Sequence, residues 1–304
     1  MLESIKVATT FWNESATAEK TQLMLRWWEH PYLHDLIDKV WHERTGCHHS
    51  GEYIEKITGR RHFSTAISIG CGSAEDEIHL LQTGLVGRFI LYDISEEQLA
   101  RAKQEAESRG VDTSRLILRA EFLDLGQKFP EEIDLVYWRH SLHHMLDVDQ
   151  AIIWCKENLS ANGAVYCNDA CPPSYMQWGD NVLDWCELFR RSLPVGCLKS
   201  PFQEGAYLPE RPTPPSVEFW KSVDPTECVD SGNIIPSILR RAPDADIRYL
   251  GGIIYAIALD DIINNFRREE DNALLRNAML LDHFLSESGM NYFFTSVIKK
   301  SDFI

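Results

Sequence analysis

The stretch AISIGCGSAEDEIHL, residues 66–80, decides how this 304-residue chain is read. A short apolar run, Ala66–Ile69, ends in Gly-Cys-Gly, and a helix-forming stretch follows. Gly70 and Gly72 permit a tight turn and close approach of backbone to a ligand. Asp93 lies 21 residues after Gly72, at the end of the next apolar run, RFILYD (88–93). A doubly wound fold places there the carboxylate that grips ribose hydroxyls. Strand, glycine turn, helix and acid together point to a nucleoside-type ligand.

The acids that follow the glycines narrow the ligand. Glu75, Asp76 and Glu77 fill the first helical turn. They suit a helix N-terminus but repel a pyrophosphate placed there, and Glu75 occupies the place of the third small residue of a dinucleotide site. That argues against a nicotinamide-dependent oxidoreductase. S-adenosylmethionine (SAM) carries a sulfonium and an ammonium and no phosphate, so an acidic loop suits it.

Outward from this loop, strands and helices alternate. Residues 75–83 and Ser95–Arg109 read as helices, the latter opened by a capping box of Ser95 and Gln98. Leu116–Ala120, Asp134–Trp138 and Ala164–Asn168 read as strands, with a helix over Asp147–Leu159. Such alternation means a parallel sheet covered on both faces. Upstream, apolar residues spaced by three and four (Leu23, Leu25, Trp27, Trp28, Leu33, Leu36, Ile37, Val40, Trp41) predict helices, the second starting at Pro31. The Trp27–Trp28 pair reads as helix core. After Asp169 the alternation stops. Ser174–Leu193 reads as one amphipathic helix, and residues 194–225 carry seven prolines, the mark of an ordered loop or lid. Strands at 247–250 and 291–298 bracket helices near 253–266 and 271–287. The expectation is an α/β, Rossmann-like, doubly wound and mostly parallel seven-stranded sheet. Residues 1–60 form an N-terminal helical cap, 61–171 the SAM-binding core and 172–246 a helix and proline-rich insert over the acceptor site. Residues 247–304 complete the core.

A net charge of −16 excludes the basic footprint of a nucleic-acid binder. No apolar run reaches the ~18–20 residues of a membrane span. The N-terminus MLESIKVATTFWNESA lacks a signal-peptide pattern, so a cytoplasmic protein is expected. The eight cysteines include no C-x-x-C pair and read as reduced thiols.

The segment 64–170 resembles the class I SAM-dependent methyltransferases. ISIGCGSA matches the family's first motif, LYDIS the second, AEFLDL the third and DLVYWRHSLHHMLD the fourth. The resemblance implies that Gly70, Cys71 and Gly72 line the methionine part of the cofactor, that Asp93 holds the ribose and that Ile94 packs on adenine. It also implies adenine-edge contacts from Asp124 and Leu125 and a lid from the N-terminal stretch bearing Phe11 and Trp12. Ser68 stands where many members have an acid, and Ala74 replaces the usual third glycine. Glu77 or a neighbour is then left to meet the cofactor's ammonium. More narrowly, the chain is similar to a bacterial small-molecule subgroup associated with surface glycans. The shared features are the Trp-rich N-terminal helix, NDACPPSYMQW and the pair Gly251–Gly252.

Ligands of open α/β sheets sit beyond the carboxyl ends of the strands, which brings the residues after Trp138 and Asn168 to the chemistry. His140 is the first candidate base, His144 the second and Asp169 the third; His143 reads as a hydrogen-bonded structural histidine. No metal is expected: no Glu lies between His140 and His144, a catalytic zinc site needs a third protein ligand, and Asp147 and Asp149, which could ligate, read as acids that start the next helix. His42, Cys47, His48 and His49 read as a surface turn. Tyr175, Gln177 and Trp178 are candidates for the acceptor site. The function expected is methyl transfer to a hydroxyl of a small polar acceptor, a saccharide or similar metabolite. The alternatives are an N-methyltransferase of a small amine and a non-catalytic SAM-binding subunit. The expected partner is the small acceptor, with a possible homodimer.

Overall fold

Seven strands form one sheet in the order β3-β2-β1-β4-β5-β7-β6. The structure is a computed structural model that describes residues 2–17 and 26–304. The strands are β1 (Phe63–Ile69), β2 (Val86–Asp93), β3 (Leu116–Ala120), β4 (Ile133–Arg139), β5 (Leu159–Ala170), β6 (Asp246–Gly251) and β7 (Phe293–Lys299). β1 to β5 pair in parallel, while β7 runs antiparallel to both β5 and β6. Strand order reverses between β1 and β4, and the crevice above such a switch point is where this architecture binds ligands.

The helices are α1 (Leu2–Thr17), α2 (Pro31–Thr45), α3 (Ser50–Thr58), α4 (Glu75–Gln82), α5 (Glu96–Ser108), α6 (Val148–Asn158), α7 (Asp180–Ser192), α8 (Val217–Val223), α9 (Ile234–Arg241) and α10 (Asn272–Glu287). Local chemistry sets their starts. Ser95 Oγ accepts the Gln98 N–H and Asp147 Oδ1 accepts the Gln150 N–H, each capping its helix. Pro31 opens α2, where a missing N–H costs nothing. No helix among the described residues is long and apolar enough to cross a membrane.

Three apolar cores hold these layers. On one sheet face Ile67, Ile69, Val136 and Trp138 pack with Trp154 of α6 and Ile234 and Ile238 of α9. On the other, Ala66, Phe89, Leu135 and Tyr137 pack with α3, α4 and α5. Trp138 and Trp154 are almost wholly buried, so truncating either to Ala is a change of about 3–5 kcal/mol. The third core joins Leu33 of α2, Val182, Cys186 and Phe189 of α7, Ile253–Phe266 and Leu275 of α10. Buried Arg190 ties this core together, donating from Nε to the Ala258 carbonyl at 2.8 Å and from one terminal nitrogen to Pro209 at 3.1 Å.

Several elements differ from the sequence reading. The helix expected from Ser174 begins at Asp180, because Tyr175 and Met176 both adopt a left-handed backbone that no α-helix admits. Residues 254–258 make a single π-helical turn, with Gly252 N and Ile254 N donating to the Asp282 carboxylate at 2.9 and 2.7 Å. The proline-rich stretch contains α8, and α9 follows although Pro236 sits in its first turn, where proline is tolerated. Trp27 belongs to a 3-10 turn packed on Tyr255 and Phe293, and Trp28 is half exposed. Leu23 and Leu25 lie outside the described residues. All eight cysteines are free thiols. His42 stacks on His48, and His49 caps α3.

Candidate functional site

β1 ends in a turn built by backbone alone. Gly70 N and Cys71 N both donate to the Tyr92 carbonyl, at 2.7 and 3.1 Å, and Gly72 N donates to Asp93 Oδ2 at 2.8 Å. Gly70 has φ +66°, and a Cβ there would meet Ser141 Cβ at 2.7 Å. Gly72 has φ +53° and open space where its side chain would be. This is a cradle that side chains would fill, bounded by the ends of β1, β2 and β4. Asp93 closes one side, its Oδ1 accepting the Ser95 N–H at 2.8 Å. Burial pushes its carboxyl above the usual range, although three backbone N–H groups oppose the rise.

Beneath the cradle Ser68 Oγ donates to Glu77 Oε1 at 2.6 Å. Glu77 is 2% exposed, and burial raises its carboxyl to about 7, against the Ser68 hydrogen bond. One residue past Asp93 begins a cavity of about 280 Å³, lined by Ile94, Glu96, Glu121 and Phe122 below and by Ile5, Thr9 and Asn13 of α1 above. Of the residues that the resemblance sends to adenine, Ile94 lines this cavity. Asp124 does not: it is exposed and accepts the Gly126 N–H in its own turn, while Leu125 packs partly into the core.

The turn after β4 holds the histidines. His140 has φ +52°, donates its N–H to the Asn168 carbonyl at 2.8 Å and sets its ring edge-on to Phe293. It lies at the open edge of the crevice, yet the protein around it disfavours the imidazolium and pushes its pKa down to about 4. Asp169 is fully buried. Its Oδ2 accepts the N–H groups of Ser141 and Leu142 at 2.9 and 2.6 Å, and its Oδ1 lies 2.5 Å from His143 Nδ1. Burial opposes both charges of this pair, but the mutual attraction wins: Asp169 is held below the carboxylate range and His143 above the histidine range. Asp169 therefore organises the turn and offers no free oxygen face to an acceptor. Ser141 Oγ is buried beside Gly70 with no hydrogen-bond partner among the described residues.

His144 packs at 4.2 Å between ring centroids on His143 and edge-on to Trp12. Trp12 Nε1 donates to Asp224 Oδ2 at 2.9 Å, so α1 reaches across to the segment after α8. Neither Asp224 nor Glu227 is visible as a site residue in the sequence, 80 or more residues from His143 and His144 and without a motif. The structure brings both against His143 and His144.

Tyr175, Gln177 and Trp178 come near this wall in different ways. Tyr175 N donates to the Cys228 carbonyl at 2.7 Å. Trp178 packs edge-on to Tyr292, which stacks on Phe293. The Gln177 side chain is exposed and spends its amide N–H groups on the Tyr175 and Pro215 carbonyls. Among the described residues, the non-glycine positions with positive φ are Ala74, His140, Tyr175, Met176 and Cys228. All five flank the glycine turn, the ends of β4 and β5, or the segment packed on them, and such strain concentrates where ligands are held.

Residues 64–207 match the family model described as a methyltransferase domain. A search of curated proteins returns no match. Solved structures of similar shape include a DhpI complex with S-adenosylhomocysteine (SAH), 18% identical, covering 56% of this chain and 71% of that one, with a TM-score of 0.38. The N-methyltransferase NodS from Bradyrhizobium japonicum WM9, in complex with SAH, is 16% identical and covers 55% and 74%, with a TM-score of 0.36. Residues 942–1257 of StiE, an O-MT, are 14% identical and cover 78% and 68%, with a TM-score of 0.41.

Proposed function

We propose that residues 64–207, which match a methyltransferase domain, form a class I SAM-dependent methyltransferase fold, and that the protein methylates a hydroxyl of a small polar acceptor, a saccharide or similar metabolite. The observation that carries the cofactor half of this reading is the run of backbone cradle, Asp93 and adjoining cavity at the sheet's switch point. In it Asp93 takes the ribose hydroxyls, Ile94 and the cavity under α1 take the adenine, and Gly70, Cys71 and Gly72 take the methionine portion. Glu77, linked to Ser68, supplies the negative charge for the ammonium. SAM, when bound, supplies a methyl group already activated by its sulfonium.

The protein's own work is then to orient the acceptor, exclude water and manage one proton. His140 is the residue we assign to the proton. Its imidazole is neutral at physiological pH, so Nδ1 or Nε2 can accept from an acceptor hydroxyl. Trp178 and Tyr175 supply ring faces for a sugar-like body. Asp169 acts through the turn it holds.

Calorimetric titration with SAH tests the cofactor half. Asp93→Ala should weaken binding about thirtyfold, the ~2 kcal/mol of a hydrogen-bonded charge. Unchanged affinity would remove Asp93 from the site. Methyl-transfer assays with labelled SAM on matched saccharides and amino sugars test the acceptor: product methylated at nitrogen alone overturns the hydroxyl assignment.

A further inference from the structure

We propose that the face formed by α7 and α10 is the seat of a two-fold dimer, its occupant a second copy of this chain. On α10, Leu280 and Phe284 lie one turn apart and are 69% and 58% exposed. On α7, Leu188 is 56% exposed. Trp185, one turn before Leu188, sets its ring edge-on to Phe284 at 6.5 Å between centroids, so the two helices present one continuous patch. Trp185 and Leu281 root that patch in the third core. A single exposed leucine is ordinary, but large apolar side chains joined across two helices mark an interaction surface.

Charge decides what the patch receives. On the α10 flank, Arg276 donates to the Tyr32 hydroxyl of α2 at 2.7 Å and has no carboxylate partner among the described residues. On the α7 flank, the four carboxylates of Asp180, Asp184, Glu187 and Glu210 share the two guanidiniums of Arg191 and Arg211, an excess of two negative charges. One flank is basic and the other acidic, so the face is complementary to itself. A two-fold pair can lay α7 of each copy on α10 of the other, or α7 on α7. The first sets acid against base, and the second sets acids against acids.

The area is of the right size. Three side chains this exposed offer on the order of 350 Å² of apolar surface per copy, and an isologous pair buries twice that. The charged flanks widen the contact into the ~1,200–2,000 Å² of stable interfaces, with the apolar patch at its centre. The pairing uses no residue assigned to methyl transfer, so its failure would leave that reading untouched.

Sedimentation velocity of the full chain over a concentration series tests this, with a cooperative thermal melt as the check that each variant folds. The expected result is a monomer–dimer equilibrium that weakens severalfold as salt rises, since the flanks are exposed. Phe284→Glu and Leu280→Glu should each raise the dissociation constant about a hundredfold. Should either fail to fold, Leu188→Glu and the salt series on the parent chain carry the test. Arg276→Glu should weaken the dimer about tenfold, and adding Asp180→Lys with Asp184→Lys should restore most of that loss, because both flanks are then reversed. A monomer at every concentration overturns the proposal. So does a dimer untouched by Phe284→Glu, an open-ended oligomer, or a charge reversal that is not rescued.

Discussion

The two halves of the crevice are built by different means. The cofactor side, at the ends of β1 and β2, is made from a turn and an acid 21 residues apart, with backbone groups doing most of the holding. The side proposed for the acceptor, at the ends of β4 and β5, is made from side chains that meet over long separations: His143 with Asp169 across 26 residues, His144 with Thr226 across 82, Trp12 with Asp224 across 212. The first is short-range and rigid, and the second is a buried electrostatic network. Mutations should therefore cost binding on one side and folding on the other.

The hardest blow to that contrast is aimed at Asp169. Asp169→Ala strands a buried imidazolium and removes the carboxylate that accepts three backbone N–H groups. It should lower stability by about 3–5 kcal/mol in chemical denaturation. A parent-like midpoint would mean that this network does not knit the acceptor side.

Glu77 is the exception within the cofactor half, a side chain buried beneath the backbone cradle. Its folded-state pKa of about 7 lies above the ordinary glutamate value of 4.5, so the folded state holds its proton longer than the unfolded chain. Stability from this group is present below pH 4.5 and is lost as pH rises through 7. Glu77→Gln keeps a partner for Ser68 and removes the buried charge. It should stabilise the protein by up to about 3 kcal/mol at pH 8, with the gain vanishing near pH 4.5, and weaken SAH binding about tenfold. A gain independent of pH would deny that Glu77 ionises in the folded protein.

The smallest of these effects separates catalysis from assembly on the acceptor side. His140→Gln should slow methyl transfer about a hundredfold, ~2.7 kcal/mol in the barrier, and leave SAH affinity and melting temperature near the parent's. Equal loss of SAH affinity would make His140 a cofactor residue instead.

The contrast also explains what could be read in advance. The β1–glycine turn–α4 unit, the alternation through β5 and the capping of α5 are local patterns, and spacing reveals them. The left-handed Tyr175 and Met176 escaped detection because no glycine marks that turn. Tyr175 N donates there to the Cys228 carbonyl, 53 residues away in the chain, a contact that no local pattern announces. The role of Asp169 was not legible for a similar reason. Its position after β5 is that of a candidate base, but only the folded turn shows its oxygens already taken by Ser141, Leu142 and His143.

By itself the sequence determined the sheet's parallel half, the cradle at Gly70–Gly72 and the acid at Asp93, because strand period, glycine freedom and helix capping act within a few residues. The tertiary structure alone decided which histidine is charged, which is neutral and which faces Asp224 and Glu227. Those properties come from burial and from charges brought together across the fold, and neither leaves a local trace in the chain.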